Sequence, residues 1–497
     1  MTEYFDVVVV GSGNAALSAA LAARESGKSV VVLERAPQAA RGGNSFFTGG
    51  LMRFTYEGVQ DLVGSFPELD GDDVKDYVLD PYTPSDFYDD MLRVTDYRTD
   101  ADLADLLTEK ARETVEWSHS KGVRFTWALG IHSTLIDGKQ QFWGAAPVLV
   151  NGGGEGLVEA LVNAVEKAGV EIRYKNRAVG LLGTPSGRVE GVLVQTGPGE
   201  RHEIAADGVV LAAGGFQANR EWRARYLGRN WDLAKVRGTE YNTGDGIQMA
   251  LDFGAQAYGH YSGSHAVAWD AGAGETGDRA IGDNYSRHSY PASVVVNREG
   301  KRFLDEGADF QTYTYAKYGA LILEQPGQTA FQLFDEQVAH LIRGDYKIRE
   351  ASKYSANTIE ELAVKMEVDP AALKATLDEY NAAVQTDVPF DFSVLDGRGA
   401  VGIQPPKSNW ANTVTQPPFQ AFPVTTGVTF TFGGVRIDTS SQVISQDGEP
   451  IEGLYAAGEM VGGLYYNNYA SGSGLTAGAL FGRRAGYGAA GLNEYGR

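Results

Sequence analysis

Six residues near the N-terminus, Gly11-Ser12-Gly13-Asn14-Ala15-Ala16, have the types and spacing to hold a dinucleotide pyrophosphate. Gly11 permits a tight turn, Gly13 lets a phosphate approach the backbone, and Ala16 allows close packing of helix on strand. The phosphates then lie at a helix N-terminus, among free N–H groups and the positive end of the helix dipole. Glu34 ends the next apolar run and is placed to accept hydrogen bonds from both ribose hydroxyls, with Arg35 beside it in the same site. A glycine turn alone carries little information. The strand before it, the helix after it and the acid beyond give it meaning.

The same fingerprint serves NAD and FAD, and three later segments favour the flavin. Arg41-Gly42-Gly43-Asn44-Ser45, followed by Thr48-Gly49-Gly50, is a glycine-rich run able to pass beside an isoalloxazine ring. Ala213-Gly214-Gly215 follows the apolar run 208–212 and makes a second strand-to-glycine turn over the cofactor. Gly458 and Glu459 end another strand with a carboxylate suited to a ribityl hydroxyl. Ser471-Gly472-Ser473-Gly474-Leu475-Thr476 opens a helix whose N-terminal end would stabilise negative charge at N1 and O2 of a reduced flavin. Ala178, Val179 and Asp245 complete the expected contacts to FAD.

The elements that must position these residues follow from pattern. Residues 4–10 are apolar without alternation, as in a buried parallel strand. Residues 15–25 read as a small-residue helix closed by Gly27, and 29–33 as a second strand, completing a β-α-β unit. Helices are expected at 100–120 and 155–168, and strands at 170–174, 189–195 and 208–212. From about residue 260 to 412 aromatic and polar residues mix, and 358–386 gives two short helices with good N-caps. The Pro-rich stretch 405–423 reads as a linker. Residues 435–438, a strand at 453–457 and a helix from about 474 to 490 then restore the earlier pattern. The fold class is α/β: a Rossmann-like FAD-binding domain, split in sequence, with an inserted α+β cap domain. The boundaries read as 1–259 for the first part of the FAD-binding domain, 260–412 for the cap and 413–497 for the closing part.

Composition sets limits on this reading. A chain of 497 residues is too long for one ordinary domain. Its 63 glycines, without a collagen-like period, suit many close backbone approaches. A net charge of -21 argues against nucleic acid and anionic membranes as partners, although a few local arginines can still draw an anion into a pocket. With no cysteine there is no disulfide, iron–sulfur cluster, thiolate zinc site or thioether-bound haem. Redox chemistry then needs an organic cofactor, and no metal site is expected. No signal-peptide pattern opens the chain, and no run approaches the ~20 apolar residues of a membrane helix. The expected setting is cytoplasmic, without a membrane span.

On these motifs the chain resembles the flavoprotein family of fumarate reductase and succinate dehydrogenase, and within it the 3-ketosteroid dehydrogenases and tricarballylate dehydrogenase. Residues 11–16, Glu34, 42–45, Gly214, Gly215, 296–303 and 453–463 carry the resemblance over nearly the whole chain. Segments 45–50, 313–318 and 465–470 look most like tricarballylate dehydrogenase. The resemblance implies an active site between the FAD-binding domain and the cap. It also exposes departures from fumarate reduction. Phe430 stands where those enzymes place a substrate histidine, and Tyr469 where they place an arginine. The cap arginine falls near Ala339, with Arg343 and Arg349 close by. Segment 41–48 lacks the histidine that covalently flavinylated relatives use there, so the FAD is expected to be non-covalent.

In the 3-ketosteroid dehydrogenases a tyrosine before a glycine-rich turn, with a turn amide, polarises a ketone, and a second tyrosine removes the α-proton. Tyr469 before the 471–474 turn resembles that arrangement. A phenol can hydrogen-bond a developing enolate, and backbone N–H groups can serve as an oxyanion hole. Tyr469 and Tyr466 are the candidates in a cluster that would otherwise be an aromatic packing patch. Of Tyr313, Tyr315 and Tyr318, Tyr318 is the candidate base, and His265 rather than His260 the substrate-facing histidine. Arg53, just past Gly50, suits a substrate carboxylate or a surface acid equally.

The leading expectation is an FAD-dependent dehydrogenase, or desaturase, forming a C=C bond next to a carbonyl or carboxylate. Its substrate would be a small cyclic ketone, a keto acid or tricarballylate. An α-proton leaves to a protein base, the β-hydride moves to flavin N5, and electrons pass to oxygen, a quinone or a separate carrier. The alternatives are the reverse reaction, a fumarate-reductase-like enoate or enone reductase, and a flavin-binding redox protein without catalysis.

Overall fold

The computed structural model describes residues 3–492. The elements that bear on the site are β1 (Glu3–Val10), α1 (Asn14–Glu25), β2 (Val30–Glu34), β3 (Glu171–Tyr174), β4 (Glu200–Leu211), β5 (Ala257–Asp270), α2 (Tyr315–Leu323), β6 (Phe419–Val435), β7 (Pro450–Ala456) and α3 (Ser473–Ala489). The last four residues of β1 and all of β2 are buried valines, leucine and Glu34, as a strand covered on both faces requires.

Eight strands form the main sheet, with Gln442–Ile444, β7, β4, β1, β2 and β3 in that order along its path. The pairs β1–β2, β1–β4, β2–β3 and β4–β7 are all parallel. The C-terminal ends of β1, β2, β4 and β7 therefore lie along one edge, where α/β sheets place their ligands. Strand β4 begins at Glu200, eight residues before the apolar run that signals it, because its first half is polar and pairs antiparallel with Val189–Gly197.

A six-stranded sheet is organised around β6, seventeen residues long, which pairs antiparallel with β5 from Ala257–Val435 to Asp270–Val424. The stretch read as a linker over 405–423 thus enters this strand at Phe419. Pro423 fits there because its carbonyl, which accepts from the Ala271 N–H, is the group the strand needs. The register of β5 on β6 breaks between His260 and Ser264 and again between His265 and Ala266. Such bulges re-aim side chains, and they bracket His265.

The two ends of the chain meet through α1 and α3. A Cβ on Gly482 would lie 2.3 Å from the Ala15 carbonyl oxygen, and one on Gly486 2.2 Å from that of Ala19. The helices pack backbone against backbone, and the Asn14 amide donates to the Leu475 carbonyl at 2.7 Å. The helices Ile359–Met366 and Pro370–Ala383 carry Thr358 and Asp369 as N-caps, each accepting an N–H of the first turn.

Candidate active site

A cavity of about 270 Å³ follows the edge of the main sheet and reaches the inner face of β5 and β6. Gly11 to Ala15, then Glu34 and Arg35, then Ala213 and Gly214 line it at the ends of three strands. Gly11 has φ 110°, and a Cβ there would lie 2.3 Å from the Ala212 carbonyl oxygen, so no other residue closes this turn. Helix α1 starts after Gly13 and α3 after Gly472, both without a side-chain cap. Two helix N-termini, with Ser45 Oγ on the Asn14 N–H and the Tyr469 hydroxyl on the Gly474 N–H, and glycine walls around one cleft fit the phosphates and ring of FAD. Glu34 accepts from the Ser12 hydroxyl at 2.5 Å and the Ala36 N–H at 2.7 Å, which leaves lone pairs on both oxygens for ribose hydroxyls. Arg35 pairs with Asp245 at 2.8 Å, and both face the cavity beside Ala178.

Gly43, Asn44, Ser45, Thr48 and Gly49 form the next wall, with Gly458, Glu459, Ser471, Gly472, Gly474 and Leu475 opposite. Other expected contacts lie behind the cavity surface. Ala16 is packed in the core, and Arg41 turns to Glu159 at 2.6 Å. Gly42, Gly50, Val179 and Gly215 do not reach the cavity surface. The Ser473 hydroxyl caps Ala470 O, and that of Thr476 binds Arg53 O at 2.9 Å. Glu459, expected to meet a ribityl hydroxyl, lines the cavity and is also bonded within the protein. Its carboxylate takes the Thr431 N–H at 2.9 Å and the amides of Gln217 and Asn242, both at 3.2 Å, tying the end of β7 to β6. Burial pushes its pKa up to about 7.

Beyond this wall is a compact aromatic cluster. The Tyr469 hydroxyl accepts the Gly474 N–H at 3.0 Å. The ring of His265 stands edge-on to Tyr469 with centroids 5.0 Å apart, and stacks on Phe430, its partner in the β5–β6 register, also at 5.0 Å. Tyr315, the first residue of α2, lies 4.7 Å from His265 and receives the Ser471 hydroxyl at 3.2 Å. The Asn468 amide donates to Tyr313 O at 2.6 Å and the Ser471 N–H to Thr312 O at 3.0 Å. These bonds clamp the tyrosine turn to the start of α2. Burial, then Arg237, hold the His265 pKa well below its usual value, so its imidazole is neutral.

Three sequence expectations are corrected here. Tyr318 faces away, with its hydroxyl on Asp305 O and its ring on Tyr290. One helical turn separates it from Tyr315, and α2 presents only the latter to the cavity. Tyr466 lies between His260, stacked at 5.7 Å, and the Arg98 guanidinium, while the adjacent Tyr465 lines the cavity. Arg53 is fully buried and meets only protein: Ser471 O at 2.7 Å, Tyr82 at 2.9 Å, Tyr313 at 3.2 Å and Gly144 O at 3.0 Å, with Asp90 at 3.4 Å.

Arg237, His132, His288 and Gln311 are among the polar cavity residues that no motif announced. Arg237 is engaged with Asp283 at 2.7 Å and Thr429 at 3.0 Å. Of the two arginines near the expected cap position, Arg343 reaches the cavity and Arg349 is exposed beside Glu350. Isolated polar residues in aromatic stretches give no local signal, since only the fold brings them together. Among the described residues no group of three or more His, Asp or Glu is arranged to hold a metal ion, and no helix is long and apolar enough to cross a membrane.

Comparison with known proteins agrees with this geometry. The family described as FAD binding domain matches residues 6–475. The chain is 29% identical to the probable fumarate reductase Ifc3 of Shewanella frigidimarina, over 98% of this chain and 75% of the relative. It is also 29% identical to the 4-oxocyclohexanecarboxylate 2-dehydrogenase of Sinomonas cyclohexanicum, over 96% and 91%. Among solved structures, the 3-ketosteroid-Δ4-(5α)-dehydrogenase of Rhodococcus jostii RHA1, bound to 4-androstene-3,17-dione, superposes with a TM-score of 0.70 at 25% identity, covering 98% of this chain and 97% of the other. From β1 to the first turn of α3, then, the chain belongs to the FAD-binding domain family and is an FAD-dependent oxidoreductase of the fumarate reductase and succinate dehydrogenase flavoprotein type, acting on CH–CH groups.

Proposed function

We propose that this enzyme desaturates a small carbonyl compound at the carbons α and β to its ketone. The observation that carries the reading is the pairing of the Tyr469 hydroxyl with the Gly474 N–H at 3.0 Å, facing the neutral His265. A ketone oxygen entering here takes the phenol O–H, and takes the Gly474 N–H once that amide turns from the Tyr469 oxygen; both bonds strengthen as the oxygen gains enolate charge. His265 then takes the α-proton, because a neutral imidazole accepts a proton without first losing one, whereas burial holds the Tyr315 phenol protonated. Phe430, Tyr465 and Tyr315 exclude water around the enolate. FAD held by Gly11–Ala15, Glu34 and the 471–475 turn would supply the acceptor for the β-hydride and a route for the electrons to an external acceptor. The named activities of the Sinomonas and Rhodococcus relatives support this direction, and Phe430 in place of a substrate histidine supports a ketone over a dicarboxylate. The FAD is held without a covalent bond, since the chain has no cysteine and segment 41–50 has no histidine.

A second reading, the reduction of an activated C=C bond, draws on the Ifc3 relative and on Arg343, a cavity cation able to deliver a proton. One experiment separates them. Under anaerobic conditions the yellow holoenzyme should be bleached by cyclic ketones or keto acids. Failure of every ketone to bleach it, with rapid reoxidation of the chemically reduced enzyme by an enoate, would assign the reductive direction.

A further inference from the structure

Arg343 stands at the junction of the inner cavity and a wider outer cleft, whose walls include Trp143, Phe310, Phe392 and Trp410. Its backbone N–H is fixed by the Ser289 hydroxyl at 3.0 Å. Its guanidinium makes no hydrogen bond among the described residues: the nearest carboxylate oxygen, on Asp345, is 3.7 Å from Nε, and that Nε is buried. Arg237, the other guanidinium in the cavity, is already held by Asp283 and Thr429. Apart from Oδ1 of that same Asp345, which is likewise buried without a partner, two further polar atoms on the cavity wall have none, His288 Nδ1 and Gln311 Oε1, on residues 6% and 5% exposed. Unmet buried polar atoms are uncommon in folded proteins, and three on one cavity wall mark a place built for a ligand's polar group.

Resting on the ketone reading above, we propose that Arg343, His288 and Gln311 form a carboxylate subsite, so that the substrate is a keto acid. Its ketone meets Tyr469 and Gly474 while its carboxylate meets the Arg343 fork. Tyr315 links the two ends of the cavity: its ring lies 6.2 Å from that of Tyr469 and 5.0 Å from that of His288. A guanidinium matches the two oxygens of a carboxylate in one plane. The Gln311 amide, turned over, offers N–H groups to the same anion, and the His288 imidazole turns an N–H to it. A phosphate dianion fits less well, because Asp283 and Asp345 leave the wall with at most one uncompensated positive charge. On a chain of net charge -21, an arginine at the inner end of the cleft also selects which anions pass inward.

The test titrates the oxidised holoenzyme with three unreactive probes, followed by the change in the flavin spectrum. They are 4-hydroxybenzoate, with both the oxygen and the carboxylate, 4-hydroxybenzamide, with its charge removed, and phenol. The wild-type enzyme should bind the acid at least about tenfold more tightly than the amide, the effect of one charge-assisted bidentate contact. Arg343→Gln should erase that preference and leave phenol affinity unchanged, and Arg343→Lys should restore part of it. An unspoiled flavin spectrum checks that each variant is folded. A preference for the acid that survives Arg343→Gln overturns the subsite. Tyr469→Phe serves as the separate control. If it leaves all three affinities untouched, the ketone reading fails, while the acid-to-amide ratio still reports on Arg343.

Discussion

The Tyr469 phenol and the Gly474 amide are joined by a 3.0 Å hydrogen bond across the turn that opens α3. The side chain before the turn and the backbone after it therefore converge on one point, and the phenol oxygen caps an N–H in the first turn of α3. An oxygen arriving there meets the phenol O–H directly, and gains the amide N–H when it displaces the phenol oxygen from it. Tyr469→Phe removes one of the two donors and keeps the ring packing against His265, Phe430 and Tyr465. Losing one such donor costs roughly 10²–10³ in kcat. The variant should keep its flavin and its thermal stability while losing turnover by that factor. A fall of less than about tenfold would remove Tyr469 from the oxyanion site.

The turn itself is held from beneath by Arg53. Its Nε binds Ser471 O at 2.7 Å, and the rest of the guanidinium is shared among Tyr82, Tyr313, Asp90 and Gly144 O. It touches no cavity surface and acts by positioning. Arg53→Met leaves Asp90 paired with Arg93 and takes the donor from the buried Ser471 carbonyl and the part-buried Gly144 carbonyl, which costs about 1–3 kcal/mol for each buried acceptor left unmet. Denaturant unfolding should show that loss. The surviving folded fraction should show a lower kcat with little change in KM, because the turn, not the substrate contact, has moved. A raised KM at constant kcat would instead make Arg53 a substrate contact.

How much of this was legible in sequence depends on how local each constraint is. The Gly11 turn, Glu34 and the small-residue faces of α1 and α3 answer to short-range geometry, and their residue types announce it. The choice between Tyr315 and Tyr318 does not, since three residues along a helix is a rotation rather than a pattern, and only the seating of α2 on β5 decides it. Tyr465 and Tyr466 illustrate the same limit in an irregular segment. His132, His288 and Arg343 come from three distant stretches and become one wall only after the second sheet forms. Glu459 was read by its position at a strand end, yet its oxygens are drawn to Thr431, Gln217 and Asn242, partners hundreds of residues or a whole strand away.

His265 and Tyr315 make opposite predictions for rate against pH. Burial and Arg237 lower the pKa of His265 well below the usual histidine value, so its basic form is complete across the neutral range. Burial raises the Tyr315 phenol well above 10, so its basic form would grow only toward strongly alkaline pH. With His265 as base, kcat for desaturation should be flat from about pH 6 to about pH 9. His265→Asn should abolish turnover without loss of flavin, while Tyr315→Phe should retain a measurable rate. A kcat rising steadily through that range, and lost in Tyr315→Phe, would transfer the role to the phenol.

Acid should destabilise the fold through the same cavity. Burial lowers the pKa of His132 to about 3, and lowers those of His265 and His288 well below the usual value. Each is neutral when folded but binds a proton when unfolded below about pH 6.5, so each draws the equilibrium toward the unfolded chain as pH falls. Each contributes a slope of about 1.4 kcal/mol per pH unit, about 4 for the three together. Glu459 opposes them. Its folded pKa of about 7 lies above the unfolded value, so its contribution is present at low pH and lost as pH rises through 7. Glu34 and Asp345, also raised by burial, act in the same sense as Glu459. A comparison of variants cancels these carboxylates. His132→Gln removes one of the three proton-binding differences, so unfolding free energy measured between about pH 7 and pH 5 should fall less steeply than in the wild type, by about 1 kcal/mol per pH unit on average. Equal slopes would mean that His132 already carries a proton in the folded enzyme, and that its ring meets the cavity as a cation.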